Sequence, residues 1–253
     1  REGVFGVALE KFPNTIQESK PVEGHENDTK AVEAAKLINE FTQKVFHVLQ
    51  ETKVNKRRVS EGKMPGNAIV SRDAGDCLPK FPSFTKANGL RFGSFVQMPV
   101  EKGIALLTGI DVVNLPLSTG NSEIDYPLWA ETAVKKSKDF DGLYIHIKGP
   151  DEPAHDGNFN KKKASIEEID KFFFGSLLPK IDLNDFIIAI TADHSTPCKL
   201  KSHSADPVPL LAVGGNIKPD GSLSFSEKTA KLGSIGELTG QEILPFLVQH
   251  AKK

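Results

Sequence analysis

Short apolar segments alternate with longer amphipathic segments along the chain, a pattern typical of strands and helices that follow one another in an α/β fold. Several short segments are rich in Val, Ile and Phe, as buried strands are. They predict strands at residues 3–9, 67–71, 91–98, 141–147, 185–191 and 209–213. The amphipathic segments predict helices at residues 29–51, 101–109, 122–138, 161–178 and 239–250.

This alternation is interrupted at residues 81–90, where Pro82, Asn88 and Gly89 separate regular segments. If the chain forms two domains, this interruption predicts their boundary within residues 81–90. Of the 253 residues, 38% are hydrophobic and 26% are charged. That composition is sufficient for one large core or two smaller ones.

Charge and cysteine content narrow the classes of partner. A formal net charge of -1 provides no basic surface for nucleic acid or for anionic lipid. No apolar run approaches the roughly 20 residues of a membrane span. Cys77 and Cys198 are isolated, without the spacing of a metal or redox motif, so a reducing cytoplasm is the simplest compartment.

Three short clusters contain metal-ligating side chains: Asp151 and His155 in D-E-P-A-H, Asp193 and His194, and His203 alone. The first two follow predicted strands, at the edge where open α/β sheets place their ligands, and the third precedes the next strand. Carboxylate and imidazole groups suit divalent transition metals. Any one cluster is more often a surface coincidence, but three within 53 residues favour a two-metal site.

The residue pattern leaves two details of this site open. Pro153 makes a helix between Asp151 and His155 doubtful and favours a tight loop. Adjacent side chains on an extended chain point in opposite directions, so Asp193 and His194 could serve one ion or two neighbouring ions.

Two longer segments around these residues carry a family resemblance. They read L-Y-I-H-I-K-G-P-D-E-P-A-H-D-G from residue 143 and I-T-A-D-H-S-T-P-C-K-L-K-S-H-S-A-D-P-V-P-L-L from residue 190. Both resemble the C-terminal half of the archaeal cofactor-independent phosphoglycerate mutases, members of the alkaline phosphatase superfamily. Residues 57–75 and 101–112 resemble the same family in the same order. The resemblance spans nearly the whole chain but only the later three-fifths of a family member.

The resemblance implies an α/β fold with an alkaline-phosphatase-like core, in which helices flank a central, mostly parallel sheet. Residues 88–253 would form this metal-binding core without its N-terminal portion. Residues 1–87 would be part of an inserted α/β domain of the transferase type that covers the substrate.

The resemblance also implies two divalent ions, manganese or zinc, with magnesium and cobalt as further candidates. Asp151, His155 and His203 match one site, and Asp193 and His194 match the other. The family completes the second site with an aspartate and a nucleophilic serine, both expected before residue 1. No catalytic residue is therefore assigned within this chain, and Ser195 is not the nucleophile.

Four cations match substrate-binding positions of the family: Arg57, Arg58, Arg72 and Lys102. Arg57 and Arg58 have a competing explanation, because cations are favourable at the end of the helix predicted at residues 29–51. Asp73 stands beside Arg72 where the family more usually has glycine, which weakens that match. Lys102 is equally explained as a lysine in the first turn of a helix.

The implied function is the interconversion of 3-phosphoglycerate and 2-phosphoglycerate, in glycolysis or gluconeogenesis, without 2,3-bisphosphoglycerate. The phosphoryl group would pass through a phosphoserine at a two-metal site. The expected partner is a small-molecule substrate, with no nucleic acid and no membrane. Two alternatives remain: another metal-dependent phosphomutase or phosphatase of the superfamily, and a metal-binding protein without catalysis.

Overall fold

The computed structural model describes residues 18–71 and 77–251. Its chain divides into two units, residues 1–78 and 79–253. The strand predicted at residues 3–9 and the predicted substrate ligand Arg72 lie outside the described residues. The assignment of residues 1–87 to an inserted domain stays a prediction.

The described part of the first unit contains two helices, α1 (Thr29–Gln50) and α2 (Lys53–Ser60). Asp28 caps α1 by accepting a hydrogen bond from the backbone N–H of Lys30 at 2.9 Å. The basic segment at residues 53–58 was expected to cap the end of the long helix, but it forms α2 instead. Thr52 has extended backbone angles and caps this second helix, so the chain ends α1 and begins again.

The strand predicted at residues 67–71 is wrong, since these residues have no regular secondary structure. Within the described part of the first unit, no neighbouring strand is available to pair with them. The backbone N–H and carbonyl of the preceding residue, Gly66, form hydrogen bonds with a side chain instead of a neighbouring strand. The buried Asn55 side chain donates to the Gly66 carbonyl at 3.0 Å and accepts from the Gly66 N–H at 2.9 Å.

The second unit has an α/β architecture, as predicted. Its strands are β1 (Phe92–Phe95), β2 (Asp111–Val112), β3 (Gly142–Ile145), β4 (Ile187–Ile190) and β5 (Leu211–Gly214). Its α-helices are α3 (Phe84–Asn88), α4 (Pro99–Thr108), α5 (Ser122–Lys136), α6 (Asp151–His155), α7 (Phe159–Glu168), α8 (Gly175–Leu177), α9 (Glu227–Ala230) and α10 (Gly240–His250).

The parallel sheet has the strand order β2-β1-β3, with Gly93 opposite Asp111 and Phe95 opposite Ile145. The chain leaves the central strand β1 through α4 to β2 on one side, then crosses through α5 to β3 on the other. This reversal is a topological switch point, and such a point opens a crevice at the carboxyl ends of the strands. The segment after β3 starts at that edge.

The remaining strands, β4 and β5, form an antiparallel pair in which Ile190 lies opposite Leu211. The end of β4 and the start of β5 therefore lie at the same edge of this pair. The connection from residue 191 to residue 210 leaves and returns there. Asp193, His194 and His203 all belong to this connection, so the antiparallel pairing keeps them near one another.

The core of the second unit lies between the parallel sheet and the helices that follow it. Phe95 of β1 is fully buried and packs with Trp129 of α5 in a cluster that also includes Phe173 and Leu177. Phe173 lies in a π-helical turn, Ile169–Phe174, that continues α7. The helix predicted at residues 161–178 therefore begins at Phe159 and changes its winding before it ends.

The segment Asp151–His155 is also helical, although Pro153 favoured a loop. Pro153 stands in the first turn, where a backbone N–H has no partner within the helix. The proline therefore costs no hydrogen bond at this position. Among residues 18–71 and 77–251, no helix has the length and apolar character needed to cross a lipid bilayer.

Candidate metal centre

Asp151 and His155 stand one turn apart on α6, so both side chains lie on the same face of the helix. Asp151 Oδ1 is 3.4 Å from His155 Nε2. The other ring nitrogen, His155 Nδ1, lies 3.0 Å from the carbonyl oxygen of Lys201. A carbonyl only accepts hydrogen bonds, so Nδ1 carries a proton, and in the neutral form of the ring the lone pair is on Nε2.

The Lys201 carbonyl is held by a local backbone turn. Lys201 has a φ of 54°, in the left-handed region that side chains other than glycine rarely adopt. Its N–H donates to the Pro197 carbonyl at 3.0 Å. The turn thus aims one backbone oxygen at His155 at a cost of about 1–2 kcal/mol in backbone strain.

His203, two residues after Lys201, also contacts Asp151 and His155. An isolated antiparallel bridge joins Ser195 to Ser204, with the Ser204 N–H donating to the Ser195 carbonyl at 3.0 Å. The bridge brings their neighbours His194 and His203 together, and the two rings stack with centroids 3.7 Å apart. His203 Nε2 lies 3.2 Å from His155 Nε2 and 3.8 Å from Asp151 Oδ1.

Asp193 and His194 approach each other directly. The backbone N–H of His194 donates to Asp193 Oδ1 at 3.1 Å, and His194 Nε2 lies 3.4 Å from Asp193 Oδ2. His194 Nδ1 faces the other way and lies 3.0 Å from the hydroxyl of Thr196. The atoms available to bind a cation are therefore His194 Nε2 and Asp193 Oδ2.

Thr196 links the two clusters. It is only 3% exposed, and its hydroxyl donates to Asp151 Oδ1 at 2.7 Å. Partial burial acts to raise the pKa of Asp151, but this hydrogen bond and the nearby His155, His194 and His203 outweigh it. The pKa of Asp151 is consequently lowered from its ordinary value, which favours the carboxylate form that binds cations.

The donor set fits a divalent transition metal. Three donor atoms, Asp151 Oδ1, His155 Nε2 and His203 Nε2, are separated by 3.2, 3.4 and 3.8 Å. Two tetrahedral ligands at the 2.0–2.1 Å bond length of zinc lie about 3.3 Å apart. A second candidate trio, Asp151, His194 and His203, has donor atoms within 4.8 Å of one another. We favour the first trio, because the nearest carboxylate to His194 Nε2 in the described contacts belongs to Asp193.

Of the predicted substrate cations that the structure describes, Arg57 and Arg58 belong to the first unit and Lys102 belongs to the second. Arg57 and Arg58 are exposed on α2 in the first unit, where Arg57 pairs with Glu61 at 3.9 Å and Arg58 donates to the Met64 carbonyl at 2.8 Å. Lys102 is exposed in the first turn of α4. Their roles stay predictions.

Two residues of the centre were not identified as site residues from the sequence. Thr196 contacts Asp151 and His194, and Lys162 of α7 donates to the Thr196 carbonyl at 2.8 Å. Only Thr196 had a sequence signal, since a hydroxyl two residues after a candidate histidine ligand can orient its ring.

Comparison with known proteins identifies a matching family model and several similar relatives. The family model "Metalloenzyme superfamily" matches residues 50–249. Named 2,3-bisphosphoglycerate-independent phosphoglycerate mutases are similar over most of the chain. The relative from Aeropyrum pernix is 41% identical over 95% of this chain and 56% of its own length, and that from Thermococcus kodakarensis is 38% identical over 87% and 54%. The chain thus spans about half the length of these relatives.

Two solved structures have the same fold. A Pyrococcus horikoshii protein superposes with a TM-score of 0.73 at 33% identity, over 90% of this chain and 60% of its own. A cofactor-independent phosphoglycerate mutase from Thermoplasma acidophilum gives 0.54 at 27% identity, over 89% and 53%. The predicted α/β fold and the resemblance are confirmed. The family match covers most of the residues and contains every side chain of the centre, so the chain belongs to the Metalloenzyme superfamily.

Proposed function

We propose that this chain is the metal-holding part of a cofactor-independent phosphoglycerate mutase, which interconverts 3-phosphoglycerate and 2-phosphoglycerate. The observation that carries the proposal is the convergence of Asp151, His155 and His203 at spacings that suit one cation. The names of the relatives then supply the reaction. The geometry alone supports metal binding, and the relatives are needed to support the mutase reaction.

We assign two ions to the centre. The first would be held by Asp151, His155 and His203, and the second by Asp193 and His194 with ligands that we do not assign to any residue of this chain. Manganese and zinc suit the mixture of carboxylate and imidazole donors, with magnesium and cobalt as weaker candidates. The nucleophilic serine belongs, in this proposal, to the part of the family members that the chain does not span.

When bound, a pair of such ions lowers the pKa of a hydroxyl nucleophile and neutralises charge on a transferring phosphoryl group. The residues of this chain supply the positions. The Lys201 carbonyl keeps the lone pair of His155 Nε2 pointing toward Asp151. The ligand side chains, between 29% and 64% exposed, leave an open face from which a small phosphorylated substrate can approach.

Cationic side chains would hold the substrate carboxylate and phosphate. Arg57, Arg58, Arg72 and Lys102 are our candidates, because guanidinium groups bind such anions through two parallel hydrogen bonds and an ammonium provides a compact charge. We further place the reaction in glycolysis or gluconeogenesis in the cytoplasm. Two unpaired cysteines, Cys77 and Cys198, are consistent with that reducing compartment.

The test uses the protein produced from the complete reading frame, supplied with manganese and without 2,3-bisphosphoglycerate. Conversion of 3-phosphoglycerate is followed by phosphorus NMR, which separates both isomers from inorganic phosphate in one spectrum. We expect 2-phosphoglycerate to accumulate to a constant ratio with little free phosphate. The variant His155→Ala should lose this activity, while His47→Ala, an exposed histidine at the end of α1, should keep it.

Other outcomes would reject the proposal in identifiable ways. Stoichiometric release of inorganic phosphate would indicate a phosphatase of the same superfamily. Tight metal binding without any turnover would indicate a metal-binding protein that lacks catalysis. Equal activity in the two histidine variants would remove the metal centre from the mechanism.

A further inference from the structure

Thr196 occupies a position between the two proposed ion sites. It lies on the connection between β4 and β5, three residues after Asp193. Only 3% of its surface is exposed to solvent. Its hydroxyl contacts Asp151 Oδ1 at 2.7 Å and His194 Nδ1 at 3.0 Å. It is therefore in contact with one ligand from each proposed site.

The direction of these two hydrogen bonds follows from counting protons. A threonine hydroxyl has a single proton to donate, and an ionised carboxylate can only accept. The proton of Thr196 therefore points to Asp151. Toward His194 the hydroxyl oxygen can act only as an acceptor, so His194 Nδ1 must carry the ring proton. In the neutral ring this leaves the lone pair on Nε2, which faces Asp193 at 3.4 Å.

The main chain of Thr196 is restrained as well. Its carbonyl accepts a hydrogen bond from Lys162 Nζ of α7 at 2.8 Å. The neighbouring residue Ser195 is joined to Ser204 by the backbone bridge. With both sides of the residue tied to other elements, the hydroxyl has little freedom to leave its two partners. Loss of the hydroxyl would remove the connection without removing these backbone restraints.

We propose that Thr196 is a positioning residue that couples the two metal sites, by fixing the tautomer of His194 and the orientation of the Asp151 carboxylate through one hydroxyl. The inference rests on the proposed function only in taking these side chains as metal ligands. It parallels the role of the Lys201 carbonyl at His155, but here a side chain performs it. A side chain can be replaced, so the role is open to a direct test.

The first test reads the tautomer in the metal-free chain. Long-range nitrogen–proton correlation NMR, at a mildly alkaline pH where imidazoles are neutral, distinguishes a protonated Nδ1 from a protonated Nε2. We expect His194 to carry its proton on Nδ1 in the wild type and in Thr196→Ser. In Thr196→Val, which keeps the shape but lacks the hydroxyl, the Nε2–H form should become populated. A wild-type His194 with its proton on Nε2 would overturn the proposal.

The second test measures manganese affinity by titration calorimetry in the same three proteins. Loss of an outer partner of a metal ligand costs about 10- to 100-fold in affinity. We expect Thr196→Val to bind about 10-fold more weakly or worse, and Thr196→Ser to bind within about threefold of the wild type. Equal affinity in Thr196→Val and the wild type would overturn the coupling.

The two readouts separate this inference from the proposed function. The tautomer is measured without metal and without substrate, so it decides the role of Thr196 even if the wild-type chain binds no manganese. Absence of manganese binding would instead reject the metal assignment itself. Thermal unfolding of the three proteins identifies a variant that fails to fold, and in that case the wild-type tautomer and the serine variant decide the outcome.

Discussion

Removal of single ligands should distinguish the two candidate trios of the metal centre. His155→Ala removes a nitrogen that lies 3.2 Å from His203 Nε2 and 3.4 Å from Asp151 Oδ1. His194→Ala removes the ring that completes the alternative set with Asp151 and His203. If our assignment is correct, the first variant loses the tighter ion and the second largely keeps it.

The expected magnitude follows from the number of ligands. Structural zinc sites with four protein ligands have apparent binding free energies of about 10–16 kcal/mol, or about 3 kcal/mol for each ligand. At about 1.4 kcal/mol for each factor of ten, one lost ligand weakens binding on the order of 100-fold. We therefore expect His155→Ala to weaken the first zinc ion by about 100-fold and His194→Ala by less than about 10-fold.

The assay is a zinc titration of the 253-residue chain against a chelator of known affinity, with His47→Ala as the control. The control histidine is exposed in the last turn of α1, so its loss should not change the titration. A larger effect of His194→Ala than of His155→Ala would refute the assignment and favour the alternative trio. A wild-type chain that binds no zinc would refute metal binding by these donors altogether.

Three stability predictions can be checked by chemical denaturation. Gly157→Ala should lose about 1–2 kcal/mol, because φ is +71° there and the added Cβ would lie 2.7 Å from the Lys201 side chain. Asp125→Asn should lose about 2 kcal/mol, because the buried carboxylate accepts hydrogen bonds from the three residues 118–120. Phe95→Ala should lose about 3–5 kcal/mol, whereas Phe159→Ala, 65% exposed, should lose less than about 1 kcal/mol.

The Asp125 variant also has a pH signature. Burial acts to raise the pKa of Asp125, but the hydrogen bonds from Ser118, Thr119 and Gly120 lower it below the ordinary value. Its contribution to stability is therefore present above the ordinary carboxyl pKa and is lost as the pH falls through the lowered folded-state pKa. Asp125→Asn should have a smaller loss of stability on acidification. Parallel acid titrations of both proteins would contradict this explanation.

The hydrophobic pattern predicted the helices and strands of the second unit well, because their apolar residues face one common core. Phe95, Trp129 and Phe173 come from segments that were predicted as strand, helix and helix. The pattern failed for residues 67–71, since an apolar run forms a strand only when another strand pairs with it, and the described residues of the first unit contain no such strand. It also missed the short β2, whose two residues are too few to form a pattern.

The candidate ligands were identified from residue types and their positions near strand ends, and the structure brings Asp151, His155, His194 and His203 into contact. The same reasoning could not identify the two groups that hydrogen-bond to these ligands, the Lys201 carbonyl and the Thr196 hydroxyl. The Lys201 carbonyl is a backbone group. Its direction depends on a left-handed backbone conformation that a lysine in the sequence does not predict. Thr196 is buried, and it contacts Asp151, which lies 45 residues earlier in the chain.

The contact between His155 and His203 joins positions 48 residues apart. That interval contains α7, the π-helical turn and β4, so an ion bound by both histidines would act as a removable cross-link around a large part of the core. Unlike a disulfide, such an ion is released when the chain unfolds, so it stabilises the fold through binding, by about 2.7 kcal/mol at a metal concentration of about 100 times the Kd. The free energy of unfolding would then depend on the metal concentration.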